Sequence, residues 1–392
     1  MKKLCRTLVL GCLAISMLCS CALPGETGSP VPTPDLSQAI LPAPDETAFS
    51  PEDMRLSLLN NNLPWGGNVV SDGDDLLYSP NDAAYSYCSN VFFCVSLTEK
   101  ECRWTQEDNA FFINGDDEWL YYVSKHYEPA NLDSPYPQYE SFLTDGVCKI
   151  EKDTGKRERV AEVESADSMI LWDDTLYILE SGEAILTYTK AGTFLEKYPL
   201  QEKNCLFETL QYANGSVFYL TIEENDEQKA SLHLQKVSES GVAEICAFPL
   251  TPPNDAYTRY CAVLFGEDLY VSDGEGLKKF SVATGECQVI CGEEVLSFVL
   301  SGEFAFVTLA SDSDDDVNKI VAFSLDGAEK TEMELDLPPM TTCFVTAVDG
   351  QRIFYMENAG GGDTFSLRWV NLKGETGTVD WYRGDDGTVL LP

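Results

Sequence analysis

The sequence predicts an all-β fold, a β-propeller of seven four-stranded blades, with six or eight blades as the alternatives. Three observations predict it. A turn followed by an apolar strand recurs seven times along the chain. A second turn, marked by glycine, recurs in step with the first. The strands also differ in charge as nested strands of a blade should, the inner ones apolar throughout and the outer ones mixed.

The first signal is Asp74-Asp75-Leu76-Leu77-Tyr78, repeated at Asp117 to Tyr121, Asp173 to Leu179, Asn214 to Tyr219, Gly266 to Tyr270, Ser301 to Phe306 and Asp349 to Phe354. From Tyr78 to Phe354 the copies advance by roughly 46 residues, the length of a four-stranded blade. The glycine turns are Thr154-Gly155, Ala191-Gly192, Ser240-Gly241, Thr284-Gly285, Asp326-Gly327 and Lys373-Gly374. Glycine supplies the positive φ of a tight hairpin. The first repeat departs, with Thr98-Glu99-Lys100 in that place. Glu303 to Leu309 reads as an inner strand; Arg157 to Val160 and Lys330 to Leu335 read as outer ones. A helical solenoid would need long 3.6-residue periodicity, which the chain lacks beyond its first segment.

Residues 1–20 read as a signal peptide: Lys2, Lys3 and Arg6 precede an apolar core, Leu8 to Leu18, too short to span a bilayer. Leu18-Cys19-Ser20-Cys21 resembles the lipobox of bacterial lipoproteins, which implies lipidation of Cys21, with Cys19 standing where a small residue is usual. Residues 21–54 form the lipidated cysteine and a tether interrupted by Pro24, Pro30, Pro32, Pro34, Pro42, Pro44 and Pro51. Residues 55–392 form the propeller domain. Its ring is expected to close through a terminal strand, either Thr388 to Leu391 or Leu56 to Leu59.

The formal charge is −39, and losing Lys2, Lys3 and Arg6 with the signal takes it to about −42. Nucleic acid is excluded as a partner, because its binding needs clustered Lys and Arg. Adsorption to anionic lipid is excluded likewise, which leaves the lipid as the sole membrane contact. Ten cysteines remain after the signal and Cys21, and several buried thiols with one or two disulfides are expected.

Only His126 and His233 are present, so a histidine-rich metal cage is excluded, and both are read as structural. No Gly-x-Ser-x-Gly elbow or phosphate-binding glycine loop occurs. With 65 acidic residues in 392, paired carboxylates carry no signal by themselves. Ser311 to Asn318 offers Asp312, Asp314 and Asp316 at alternating positions, as in a calcium loop, but lacks the glycine and glutamate of that motif. A solvated acidic loop is the reading, with calcium as the alternative cofactor and otherwise none.

The functional pointer is positional. The loops joining second and third strands are irregular at Ser79 to Asn90, Tyr127 to Asp145, Glu223 to Lys229, Ser311 to Asn318 and Asn358 to Asp363. Long loops on a rigid scaffold often carry function. Tyr85 and Tyr87 on the first, and Tyr127, Tyr136 and Tyr139 on the second, suit a protein, peptide or glycan ligand.

The Leu-Tyr-Tyr inner strands (Leu120-Tyr121-Tyr122) and the Asp-Thr-Gly and Ala-Thr-Gly outer turns (Asp153-Thr154-Gly155, Ala283-Thr284-Gly285) resemble the propeller lipoproteins of Gram-positive bacteria. They are also similar to YWTD and quinoprotein-type propellers, although no Tyr-Trp-Thr-Asp box occurs. The resemblance rests on blade-forming residues and implies no active site. The expectation is a monomeric, membrane-anchored, extracytoplasmic binding or scaffolding module; the alternative is a carbohydrate-active enzyme using loop-face carboxylates.

Overall fold

The computed structural model describes residues 69–72, 75–79, 91–129, 139–180, 182–201, 205–224, 229–252, 260–301, 304–310, 319–333, 335, 337, 341–349, 352–359, 366–379, 382–383 and 389–390. All fall in the compact unit Ser37–Pro392. The signal segment, Cys21, the tether and Leu56 to Leu59 lie outside the described residues.

Every regular element among the described residues is a strand. Seven four-stranded antiparallel sheets follow one another along the chain, at 69–106, 109–161, 168–199, 205–250, 261–291, 295–332 and 341–378. Within each sheet the strands lie in sequence order, and the first strands of successive blades from 2 to 7, and of blades 7 and 1, meet around the ring. The chain is therefore a seven-bladed β-propeller, as the repeat predicts. All seven copies of the turn-strand signal are second strands. Burial follows the nesting: Phe304–Leu309, the second strand of blade 6, is buried at all six positions, while Phe194–Pro199, the fourth strand of blade 3, is exposed at five of six.

The glycine signal marks the turn between third and fourth strands in blades 2 to 7, with φ from 69° at Gly155 to 113° at Gly241. Blade 1 makes the same turn with Lys100 at φ 55°, which explains why the motif was missing there. Two of the glycines do more than turn. A Cβ on Gly155 would sit 2.7 Å from Trp104 Cβ, and one on Gly192 would sit 2.0 Å from the Val160 carbonyl oxygen. These turns rest on the outer strand of the preceding blade, and Trp104 also donates its indole N–H to the Lys152 carbonyl at 2.7 Å. The turn thus serves two purposes, hairpin geometry and close approach.

Neighbouring blades pack through apolar faces and are also tied near the centre by polar side chains bonded to the next blade's first strand. Asn114 in blade 2 donates to Met169 O at 3.1 Å and accepts from Leu171 N at 3.2 Å. Gln211 in blade 4 repeats the arrangement on Ala262 O and Leu264 N, at 2.6 and 2.5 Å. Hydroxyls do the same work elsewhere: Ser79 accepts from Ala110 N, Ser168 from Leu210 N and Thr308 from Val345 N, at 3.0, 3.0 and 2.9 Å. Each bond satisfies a backbone group that no ladder reaches at the centre of the ring.

Among the described residues, closure between blades 7 and 1 borrows no strand. Leu76, Tyr78 and Phe93 of blade 1 pack on Phe354, Met356 and Leu367 of blade 7. The terminal strand expected to complete a blade instead pairs, as Val389–Leu390, with Tyr382–Arg383 in a separate hairpin that approaches the fourth strand of blade 1. Each blade already has four strands of its own, so no place is left for it in a blade. No disulfide joins any two of the nine described cysteines; Cys88 lies outside the described residues. Burial pushes the thiols of Cys261 and Cys343 up to about 12, the behaviour of packing residues.

Candidate functional site

The upper face, where second strands turn into third strands, is uneven because the blades differ in strand length. Blade 3 has strands of five and six residues. Blade 4 has strands of nine and ten. In blade 2 the second and third strands, Trp119–Pro129 and Tyr139–Glu151, have 11 and 13. The inter-blade bonds fix the levels. Ser168, the first strand residue of blade 3, bonds to Leu210 N, so residues 205–208 of blade 4 stand above it. At about 3.3 Å per residue that is a step of roughly 13 Å. In blade 2, Lys125 pairs with Asn109 at the start of the first strand, and residues 126–129 continue past it. Blade 3 is a low step between two tall blades.

The blade 2 hairpin corrects the sequence reading. Tyr127 to Asp145 was expected as a loop; Tyr127 instead pairs with Phe142, and Tyr139 with Pro129, within extended strands. The prolines that suggested a loop lie mostly in 130–138. Tyr136, Tyr85 and Tyr87 lie outside the described residues, as do Asp312, Asp314 and Asp316. No group of three metal-ligating side chains occurs among the described residues.

At the base of the hairpin, Lys125 Nζ lies over the rings of Phe111 and Phe112, at 5.2 and 5.4 Å. Burial holds its ammonium below the usual lysine range, opposed by the carboxylate of Asp167. His126 Nδ1 is 2.8 Å from Asp145 Oδ1, both half-exposed, a surface pair rather than a buried catalytic one.

The floor above blade 3 is the turn at Gly182, which takes φ 68°. A Cβ there would be 3.5 Å from the Glu208 carboxylate of blade 4. Burial raises the Glu208 carboxyl above its ordinary range; the Tyr219 hydroxyl, donating at 2.8 Å, pulls the other way, and Asp167 adds to the rise. Glu208 and Tyr219 were invisible as a pair in a sequence so rich in carboxylates. The flank of blade 4 carries a second unforeseen group. Ser231 Oγ is 2.9 Å from His233 Nε2, and Glu244 Oε2 is 2.8 Å from His233 Nδ1, with Glu223 at 4.0 Å from Nε2. The connectivity is that of a Ser-His-acid relay. Ser231 and His233, however, are alternate residues of one strand, and the ring bridges second, third and fourth strands of the sheet. It is a cross-strand brace, in agreement with the structural role read for His233.

No protein-family model matches the chain, and no curated protein matches it. Three similar solved structures are BamB from Moraxella catarrhalis, the computationally designed Ika8 protein and the mitotic checkpoint complex. The first is 13% identical, covers 79% of this chain and 85% of its own, and has a TM-score of 0.42. The second is 10% identical over 82% and 93%, at 0.46. The third is 12% identical over 91% and 99%, at 0.47. Nothing about ligand or partner passes to this chain from likenesses of this grade; the propeller stands on its own strand pairing.

Proposed function

We propose that the protein is a lipid-anchored, extracytoplasmic propeller that binds or scaffolds a protein, peptide or glycan through its upper face. The observation that carries this reading is the step over blade 3. The blade 2 hairpin extends beyond what its own four-stranded packing requires, and blade 4 faces it across the step. Tyr127 and Tyr139 are strand residues of that hairpin, and tyrosine supplies both aromatic surface and a hydrogen-bonding hydroxyl. The anchor reading rests on Cys21 and the basic-then-apolar segment before it.

The test is a panel of glycans and peptides against the purified protein. Retention without turnover, lost when Tyr136 and Tyr139 are replaced by alanine, supports a binder; unchanged retention in that variant rules the hairpin out. A carbohydrate-active enzyme is the second reading, favoured by the raised carboxyl of Glu208 on the same face. It requires turnover that Glu208→Gln abolishes. For the anchor, Cys21→Ser is expected to move the protein from the membrane fraction to the medium, and continued membrane retention would exclude lipidation.

A further inference from the structure

The outermost strand of each blade leaves a row of backbone N–H and C=O groups without a neighbouring strand. Natural sheets blunt such edges with charge, proline or short length. Five of the seven edges here carry charge or are only three residues long, and a sixth is uncharged but half the length of the longest. Glu101–Gln106 carries Glu101 and Arg103, Arg157–Ala161 carries Arg157, Glu158 and Arg159, and Phe194–Pro199 carries Glu196 and Lys197. Lys330–Glu332 and Thr376–Thr378 have three residues each, and Cys287–Cys291 has five.

The fourth strand of blade 4 is the exception. Gly241–Leu250 is 10 residues long, with one charge, Glu244, and one proline near its end, Pro249. Among the described residues it pairs only with Ala230–Ser238. Ala243, Ile245 and Ala247 are exposed, Ile245 at 46%. The single charge does not guard the edge, because the Glu244 carboxylate is drawn onto its own sheet by His233 at 2.8 Å. The register shift between Leu234 and Gln235 leaves Ile245 as the extra residue of a bulge. Pro249, opposite Ser231, has no N–H to give. The alternating ladder therefore puts Ser231–Pro249 and His233–Ala247 at non-hydrogen-bonded positions, and Ala247 turns its N–H and C=O away from the blade.

We propose that this edge is a docking site for an extended segment of a cationic protein partner, which adds to blade 4 as a fifth strand. Unpaired strand-edge groups are matched by another strand's backbone, and Ile245 with the flanking alanines gives the side-chain contact. The partner's sign follows from charge. The chain carries −39, and on the same flank the exposed Glu196 and Glu239 stand beside Lys197 and Lys236, so the attraction comes from the field of the whole chain. A second copy would bring the same charge against it, whereas a segment with lysine or arginine is attracted. The site lies on the flank of the ring and is independent of the upper-face reading.

The probe is a peptide about ten residues long alternating valine or threonine with lysine, with a glutamate version as control, titrated into the full-length protein. Hydrogen exchange reports on residues 241–250. The lysine peptide is expected to bind and to slow exchange there. Ile245→Lys, an exposed change that leaves the core intact, is expected to weaken binding by about tenfold, and Ala247→Pro to do the same by removing an outward N–H. Val289→Lys on the blade 5 edge is expected to leave it unchanged. Absence of binding, equal binding of the glutamate peptide, or binding that Ile245→Lys and Ala247→Pro leave untouched would overturn the proposal. So would self-association that these two substitutions abolish, since the occupant would then be a second copy.

Discussion

The seam between blades 2 and 3 and the seam that closes the ring between blades 7 and 1 join the same kind of faces by different means. At the first, Tyr121, Val123 and Val147 pack on Met169, Leu171 and Ile178, and Asn114 adds two hydrogen bonds to the facing backbone. At the second, the joint described is one of aromatic and aliphatic packing, with Phe354 fully buried at its centre. Apolar packing is non-directional and tolerates a range of blade angles. A side-chain amide bonded to a donor and an acceptor fixes the register of one blade against the next. Blades 2 and 3 are registered by such bonds, and the packing described at the closing seam adds an apolar face complementary in shape.

The largest loss is expected one seam earlier, between blades 1 and 2. Asp108, between blades 1 and 2, accepts from Ser124 Oγ at 2.6 Å and Tyr122 OH at 2.8 Å, and pairs with Arg157 at 2.8 Å while nearly all of it is buried. Asp108→Ala leaves a guanidinium and two hydroxyls without their acceptor, and a loss of about 4 kcal/mol is expected in urea unfolding. At the closing seam, Phe354→Ala is expected to cost about 3 kcal/mol through the cavity it opens. If closure were the weak joint of the ring, this variant would also show a separate early transition; a single transition would mean that both kinds of seam unfold together.

Asn114→Ala is expected to cost about 2 kcal/mol, because Met169 O and Leu171 N lose their partner inside the ring. Asn114→Asp sharpens the point: it keeps the acceptor for Leu171 N and loses the donor to Met169 O, so it should not restore the wild-type midpoint. The turn glycines separate conformation from contact. Gly285→Ala, with open space at its Cβ, is expected to cost about 1 kcal/mol for its positive φ. Gly155→Ala meets Trp104 as well and is expected to cost more; equal costs would mean that the blade 1–2 contact gives way freely.

The smallest effect concerns Glu208. A carboxyl raised in the folded state binds its proton more tightly there than in the unfolded chain, so stability falls as pH rises from the unfolded value through the folded one. Glu208→Gln removes this loss. The variant is expected to melt slightly above wild type at neutral pH, with the difference vanishing in acid, where the wild-type carboxyl is protonated in both states. A constant difference across pH would place the effect in packing rather than in charge.

Much of the architecture was legible in the chain. The recurring Leu-Leu-Tyr and Phe-Ala-Phe strands and the glycine turns announced second strands and outer hairpins, since those positions are set by local turn geometry and by burial on both faces. The site was legible only as a region. Tyr127 and Tyr139 were assigned to a loop because prolines cluster between them, yet strand pairing runs through both, and hairpin length depends on partners rather than on local composition. Glu208, Tyr219 and the Ser231–His233–Glu244 brace gave no signal, because each group joins residues from different strands and stands among 65 acidic residues.

By itself the sequence determined the blade, its repeat and which strands must be buried, because continuous apolar runs and positive-φ turns are properties of neighbouring residues. Only the tertiary structure decided which blades stand tall beside a short one, which amides register neighbouring blades, and which edge is left long with its one charge drawn inward. Those depend on where residues about 40 to 60 positions apart come to lie beside one another, and local physical chemistry does not reach that far.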